Sequence, residues 1–167
     1  MIYKAITPSI PLTQGDIIED CPLVYVEKLP SESGATQFAQ GESRERVLVL
    51  TQACDLANTK TFKVQVAIVH ETEHLVQAGI LKGQTVREQV RRHQVFGWYF
   101  LPASDEIPEC LVDLRDVHTV PRELLEMLVN SGHRRVTLIS PYREHLAQHF
   151  GVTYSRIALP EPYATQE

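Results

Sequence analysis

"RVLVLTQACDLANTK", residues 46–60, is the stretch that decides the fold. Val47 to Thr51 is a continuous run with four apolar residues, the pattern of a strand buried on both faces. It leads straight into a polar cluster of Gln52, Cys54, Asp55 and Asn58. A strand buried on both faces needs partners, and its end is a place where a rigid sheet presents side chains.

The neighbours of that strand supply the partners. "KVQVAIVH", Lys63 to His70, is β-branched and partly alternating, and reads as a second core strand. Upstream, Gly15 to Ile18 starts a strand, which Leu23 to Val26 continues or pairs with after Pro22. Residues 1–14, with Pro8 and Pro11, read as an extended arm, and residues 28–45 as a long polar loop. Downstream, Thr85 and Glu88 have the spacing of a capping box, which predicts a helix from about Val86 to His93. "FGWYFLP", Phe96 to Pro102, returns to strand. Cys110 to Val120 gives a short strand and then a second short strand or turn. Pro121 suits the first turn of a helix over "RELLEMLVN" that ends near Gly132. Ser140 is placed as N-cap and Pro141 at N1 of a last helix that stops at Gly151, with Tyr142, Leu146 and Phe150 as its apolar stripe. "YSRIAL" could close the sheet, and residues 160–167 read as a loose tail. Strands come first, then an inserted helical segment at about 71–95, then strands, then helices. That order predicts one α+β domain over residues 1–167 with a small, mostly antiparallel barrel, and argues against a parallel sheet.

Composition narrows the function. Net charge is −5 over 167 residues, so nucleic-acid binding would need a local basic patch. Cys21, Cys54 and Cys110 have no regular spacing, and no CxxC pair points to zinc. No secretory leader and no run of about 18 apolar residues is visible, so a cytosolic, membrane-free protein is expected, with no cofactor and no metal.

Three segments resemble the MazF/PemK-type toxins. "QGDII" (14–18), a long loop and "RERVLVL" (44–50) resemble that family's opening. "LVDLRDVHTVPRELL" (111–125) is similar to its closing strands and the helix after them. "RRVTLISPYREHLAQHF" (134–150) is similar to its final segment and helix. The resemblance implies an SH3-like barrel, a homodimer, an antitoxin-like protein partner and metal-independent cleavage of RNA. It points to Arg46 and His70 as catalytic residues: Arg46 stands where the family's core strand begins, and His70 where the family has a polar residue ending the next strand. Val47 replaces a proline of the family pattern.

The residues themselves agree with that chemistry and leave other readings open. RNA cleavage through the 2′-hydroxyl needs a base near neutral pH, which a histidine can be, and a cation for the charge that develops on phosphorus, which an arginine fork supplies. Arg46 could equally be a surface charge and His70 a satisfied strand-end residue. Gln52, Cys54, Asp55 and Asn58 form a candidate ligand-binding loop, in which Cys54 is a small buried residue and Asp55 holds backbone N–H groups near Ala57 and Asn58. Nucleophile and metal-ligand roles are the alternatives there. Lys82, Arg87, Arg91 and Arg92 make the local basic patch, a candidate nucleic-acid contact or a solvated helix face. His145 and His149 are spaced i, i+4 and are assigned to the helix surface. Trp98, Tyr99 and Phe100 are assigned to core packing or a dimer face.

Overall fold

The computed structural model describes residues 2–4, 10–30, 36–58 and 61–155. Its strands are β1 (Tyr3–Lys4), β2 (Asp16–Leu29), β3 (Gln37–Val49), β4 (Lys63–Glu71), β5 (Trp98–Leu101), β6 (Cys110–Pro121) and β7 (Arg134–Leu138). Its helices are α1 (Ala53–Ala57), α2 (Thr72–Gln77), α3 (Gly83–Glu88), α4 (Arg122–Asn130) and α5 (Tyr142–Tyr154), with a 3₁₀ turn at Val90–Arg92. The strands form one antiparallel sheet in the order β1-β7-β2-β3-β4-β6-β5. The chain is α+β, as the order of elements predicts. Val47, Val49, Val64, Val66, Ile68 and Leu111, the residues expected in the core, are all buried.

Alternation along β3 explains why that strand is apolar throughout. Leu48 and Leu50 join one core cluster with Ile17, Val69, Val112 and Leu146. Val47 and Val49 join another with Ile18, Val64, Val66 and Leu125. α4 lays Leu125, Leu128 and Val129 over this second face. The first face is covered by α5 through Leu146, and by Tyr3 from β1 and Leu101 from β5. The ends of the strand order also touch, since the Tyr3 hydroxyl donates to the Pro102 carbonyl at 2.8 Å.

Gly15 is a glycine whose freedom the sheet requires. It turns with φ +84°, and a Cβ there would lie 2.9 Å from the Leu138 Cβ. The turn brings Asp16 into the core, where Arg134 reaches its carboxylate at 3.2 Å with both side chains buried. The Thr13 N–H and the Thr137 hydroxyl donate to the same carboxylate.

Several sequence expectations are corrected. Residues 37–45 are not loop: they continue β3 and pair with β2 from Cys21↔Glu45 to Leu29↔Gln37. The pairing is a hairpin reaching past the core, where Val24, Tyr25, Val26 and Phe38 are exposed. The arm at 1–14 is not free of the sheet, because Tyr3 pairs with Leu138. The inserted segment holds two short helices and a 3₁₀ turn, and Lys82 precedes α3 with no side-chain cap, so Thr85 is no N-cap. β6 is one long strand, irregular where its register to β4 jumps from Val117 to Asp113. Pro141, not Ser140, precedes α5, which runs through Gly151 to Tyr154. Of the expected closing strand, Tyr154 ends α5 and Ser155 is its C-cap; its other residues, like the tail, lie outside the described residues. Among the described residues no helix is long and apolar enough to cross a membrane.

Candidate functional site

Arg46 is positioned by an irregularity in β2. The β2–β3 register shifts between Ile18 and Cys21, so Glu19 and Asp20 bulge out together. Asp20 takes φ +59°, a conformation that Asp tolerates better than most residues. The bulge turns both carboxylates onto arginines of β3. Asp20 meets Arg44 at 2.9 Å, and Glu19 accepts from Arg46 Nε at 2.6 Å.

Two further partners come from distant strands. Arg46 Nη2 stands 3.4 Å from Glu71 Oε1 at the end of β4, and Nη1 donates to Cys110 Sγ at 3.2 Å. β4–β6 pairing sets Glu71 opposite Cys110, which is how both reach one guanidinium. Burial works against the charge of Arg46, but Glu19 and Cys110 outweigh it and hold the guanidinium above its ordinary pKa. Burial pushes the Cys110 thiol up to about 11 against the pull of Arg46, so it stays protonated. Glu71 has a second neighbour: its Oε2 lies 3.8 Å from His74 Nε2, one turn along α2.

A cleft of about 500 Å³ opens beside Glu71. Thr72, Val86, Arg87, Arg91 and Glu109 are among the residues that line it. Arg91 is tied to Glu109 and lies over the Phe100 ring, whereas Arg87 is exposed. The Thr72 hydroxyl is buried in this wall without a partner. Of the four residues expected to contact nucleic acid, Arg87 and Arg91 therefore reach the cleft, while Lys82 and Arg92 are exposed outside its lining.

Arg46 and His70 lie at the same end of the β3–β4 pair, but the structure does not bring them together. Successive strand residues point to opposite faces, so Glu71 takes the face of Arg46 and His70 the other. The His70 ring meets Trp98 edge-on, with centroids 6.3 Å apart.

The polar cluster after β3 sits at the opposite end. Gln52 precedes α1, and its carbonyl accepts from the Asp55 and Leu56 N–H groups. Leu56 drops into the core, so Cys54 and Asp55 fall on the solvent side. This corrects one expectation: Cys54 is exposed, not buried. The N–H of Asn58 donates to the main-chain carbonyl of Asp55. A cavity of about 480 Å³ touches α1, but Ala53, Leu56 and Ala57 line it, and Gln52, Cys54, Asp55 and Asn58 do not.

Trp98 and Tyr99 are buried within the chain, which is the core packing expected of this run, while Phe100 is half-buried. One histidine assignment changes: His149 is buried rather than on the helix surface.

Sequence reading missed Glu19, Glu71, Thr72, His74 and Cys110. Only Glu71 carried a signal, since Ala67, Val69 and Glu71 alternate on one strand face. Fold and site together define an α+β protein with a carboxylate held between an arginine and a histidine at the mouth of an arginine-lined cleft. No family model and no curated protein matches the chain.

Proposed function

We propose that the chain is an SH3-like barrel of the MazF/PemK kind that cleaves RNA without a metal at the Arg46–Glu71–His74 site. The barrel reading is supported by the contact of Tyr3 with Pro102 across the two ends of the strand order. The observation that carries the activity is that Glu71, which contacts Arg46 at 3.4 Å and His74 at 3.8 Å, itself lines a cleft together with Arg87 and Arg91.

The chemistry follows from these groups. Glu71 accepts the proton of a 2′-hydroxyl, whose oxygen attacks the adjacent phosphorus. Arg46 stabilises the charge gathered on the phosphoryl oxygens. His74 gives a proton to the 5′-oxygen as the P–O5′ bond breaks. The products are a 2′,3′-cyclic phosphate and a 5′-hydroxyl. Arg87, exposed at the cleft, holds a flanking phosphate, and Arg91 can be released from Glu109 to do the same.

The test is incubation with long mixed RNA, with and without chelator, followed by mapping of the cut ends. Cuts ending in cyclic phosphate that disappear in E71Q are expected. Intact RNA, or equal cutting by the wild type and E71Q, would refute the assignment.

A further inference from the structure

The cavity of about 480 Å³ beside α1 is built from four parts of the chain: β1, residues 10–13 before β2, α1 itself, and the stretch from β7 into α5. Its walls are fastened to the fold. Leu12 and Leu56 reach from two of them into the same core cluster. β1 is held by pairing Tyr3 with Leu138 and Lys4 with Thr137. Arg134, tied to Asp16 at 3.2 Å, also donates to the carbonyls of Ile10 at 2.8 Å and Pro11 at 3.2 Å, which pins residues 10–13 to β7. A cavity with walls held this way is preformed, and its volume falls in the range of about 300–1,000 Å³ usual for small-molecule sites.

The charge of the lining is one-sided. Leu12, Leu56, Leu138 and Ile139 give the cavity apolar walls. Among the described residues its charged side chains are Lys4, Arg134 and Arg143, with no carboxylate. That runs against the balance of a chain whose net charge is −5. The buried carboxylate of Asp16 neutralises Arg134 from behind the wall. Lys4 is exposed and makes no ion pair among the described residues. Arg143 pairs with Glu144, the next residue, at 3.0 Å, and a pair open to solvent is weak enough for an incoming anion to replace. Two cations thus line one apolar cavity, and the carboxylates of the fold do not answer them there.

We infer that this cavity binds a small organic anion, whose apolar body lies against the leucine and isoleucine walls and whose carboxylate or phosphate is held by Lys4 and Arg143. Each half of such a ligand answers one half of the lining. The body removes apolar wall from water, and the head forms charge-assisted hydrogen bonds with the ammonium and the guanidinium. A neutral molecule of the same shape forgoes the second gain, and a bare inorganic anion forgoes the first. Ala53 of α1 also lines the cavity, so the segment after β3 takes part through α1.

This site is separate from the Arg46 cluster and does not rest on the RNA reading. Its test is a fluorescence titration of the full chain with 1-anilinonaphthalene-8-sulfonate, an aromatic anion, and with N-phenyl-1-naphthylamine, the same body without the charge. One equivalent of the anion is expected, bound about tenfold tighter than the neutral probe. Lys4→Gln and Arg143→Gln should each weaken the anion roughly three- to tenfold and leave the neutral probe unchanged. Ala53→Phe, which fills the cavity from a half-buried position, should abolish binding of both probes while circular dichroism stays that of the wild type. Phe38→Ser, on the exposed hairpin, should bind as the wild type does. Octanoate and octyl phosphate should displace the anion where octanol does not, and the stronger competitor names the head group. Equal affinity for the two probes, binding that survives Ala53→Phe, loss of binding in Phe38→Ser, or displacement by neither octyl anion overturns the assignment. Where Ala53→Phe does not fold, Lys4→Gln and Arg143→Gln decide: anion binding unchanged in both overturns it.

Discussion

Arg46 and Glu71, 25 residues apart in sequence, meet at 3.4 Å across neighbouring strands, and the same guanidinium also binds Glu19 and Cys110. A cation shared among two carboxylates and a thiol is fixed in place, and it leaves Glu71 free on the side of His74. Replacing Glu71 with Gln keeps the shape and removes the base of the proposed reaction. RNA cleavage should fall on the order of 10²-fold or more, while the melting midpoint stays close to that of the wild type. Single-turnover rates and a thermal melt check both halves.

Removal of Arg46 should do more than abolish activity. In R46A, Glu19 and Glu71 lose their shared cation, and Cys110 loses a donor. The cluster is only partly buried, so the expected cost is about 1–3 kcal/mol. Urea unfolding of R46A and of R46K separates lost charge from lost geometry, since Lys cannot supply the three-way fork.

The Asp16–Arg134 pair should be the costliest polar contact to break. Both side chains are buried, and Asp16 also accepts from Thr13 and Thr137. D16A leaves the buried Arg134 guanidinium with the Ile10 and Pro11 carbonyls but without its counter-charge, and should cost roughly 3–5 kcal/mol in urea unfolding. A loss below about 1 kcal/mol would show that the pair is not buried in solution.

The three cysteines should separate cleanly on alkylation. Cys54 is exposed, whereas Cys21 and Cys110 are buried. A single adduct at Cys54 is expected in the native protein at neutral pH, and three after denaturation, by intact mass. C54S should change stability by less than about 0.5 kcal/mol, as exposed positions do.

High pH should unfold the chain. Burial pushes Cys21 and Cys110 up to about 11 and Tyr99 to about 12. A raised folded-state pKa keeps the proton bound, so stability is full below the unfolded thiol value, near 9. It falls as pH rises through about 11, where the buried thiols must ionise. Unfolding midpoints in denaturant between pH 8 and 11 should decrease steadily, and C21A should flatten part of that slope.

The sequence by itself determined the core strands, the α+β class and α4. Val47–Leu50 and Val64–Val69 carry side chains that only a two-faced core can bury, and "RELLEMLVN" has a helical apolar face. Tertiary structure alone decided the rest. The hairpin strand at 37–45 has solvent on both faces, so no core imposes an apolar period on it. α1, α2 and α3 are each five or six residues long, too short for a 3.6-residue period to be read. Cys54 looked buried because a core strand delivers it, but α1 begins at Ala53 and turns the thiol to water. Arg46 was visible as the start of a strand, yet its partners were not: Glu19 arrives through a bulge, and Glu71 and Cys110 through the β4–β6 register. Strand pairing joins residues across any distance in the chain, and nothing in local sequence records which strand edge will find which partner.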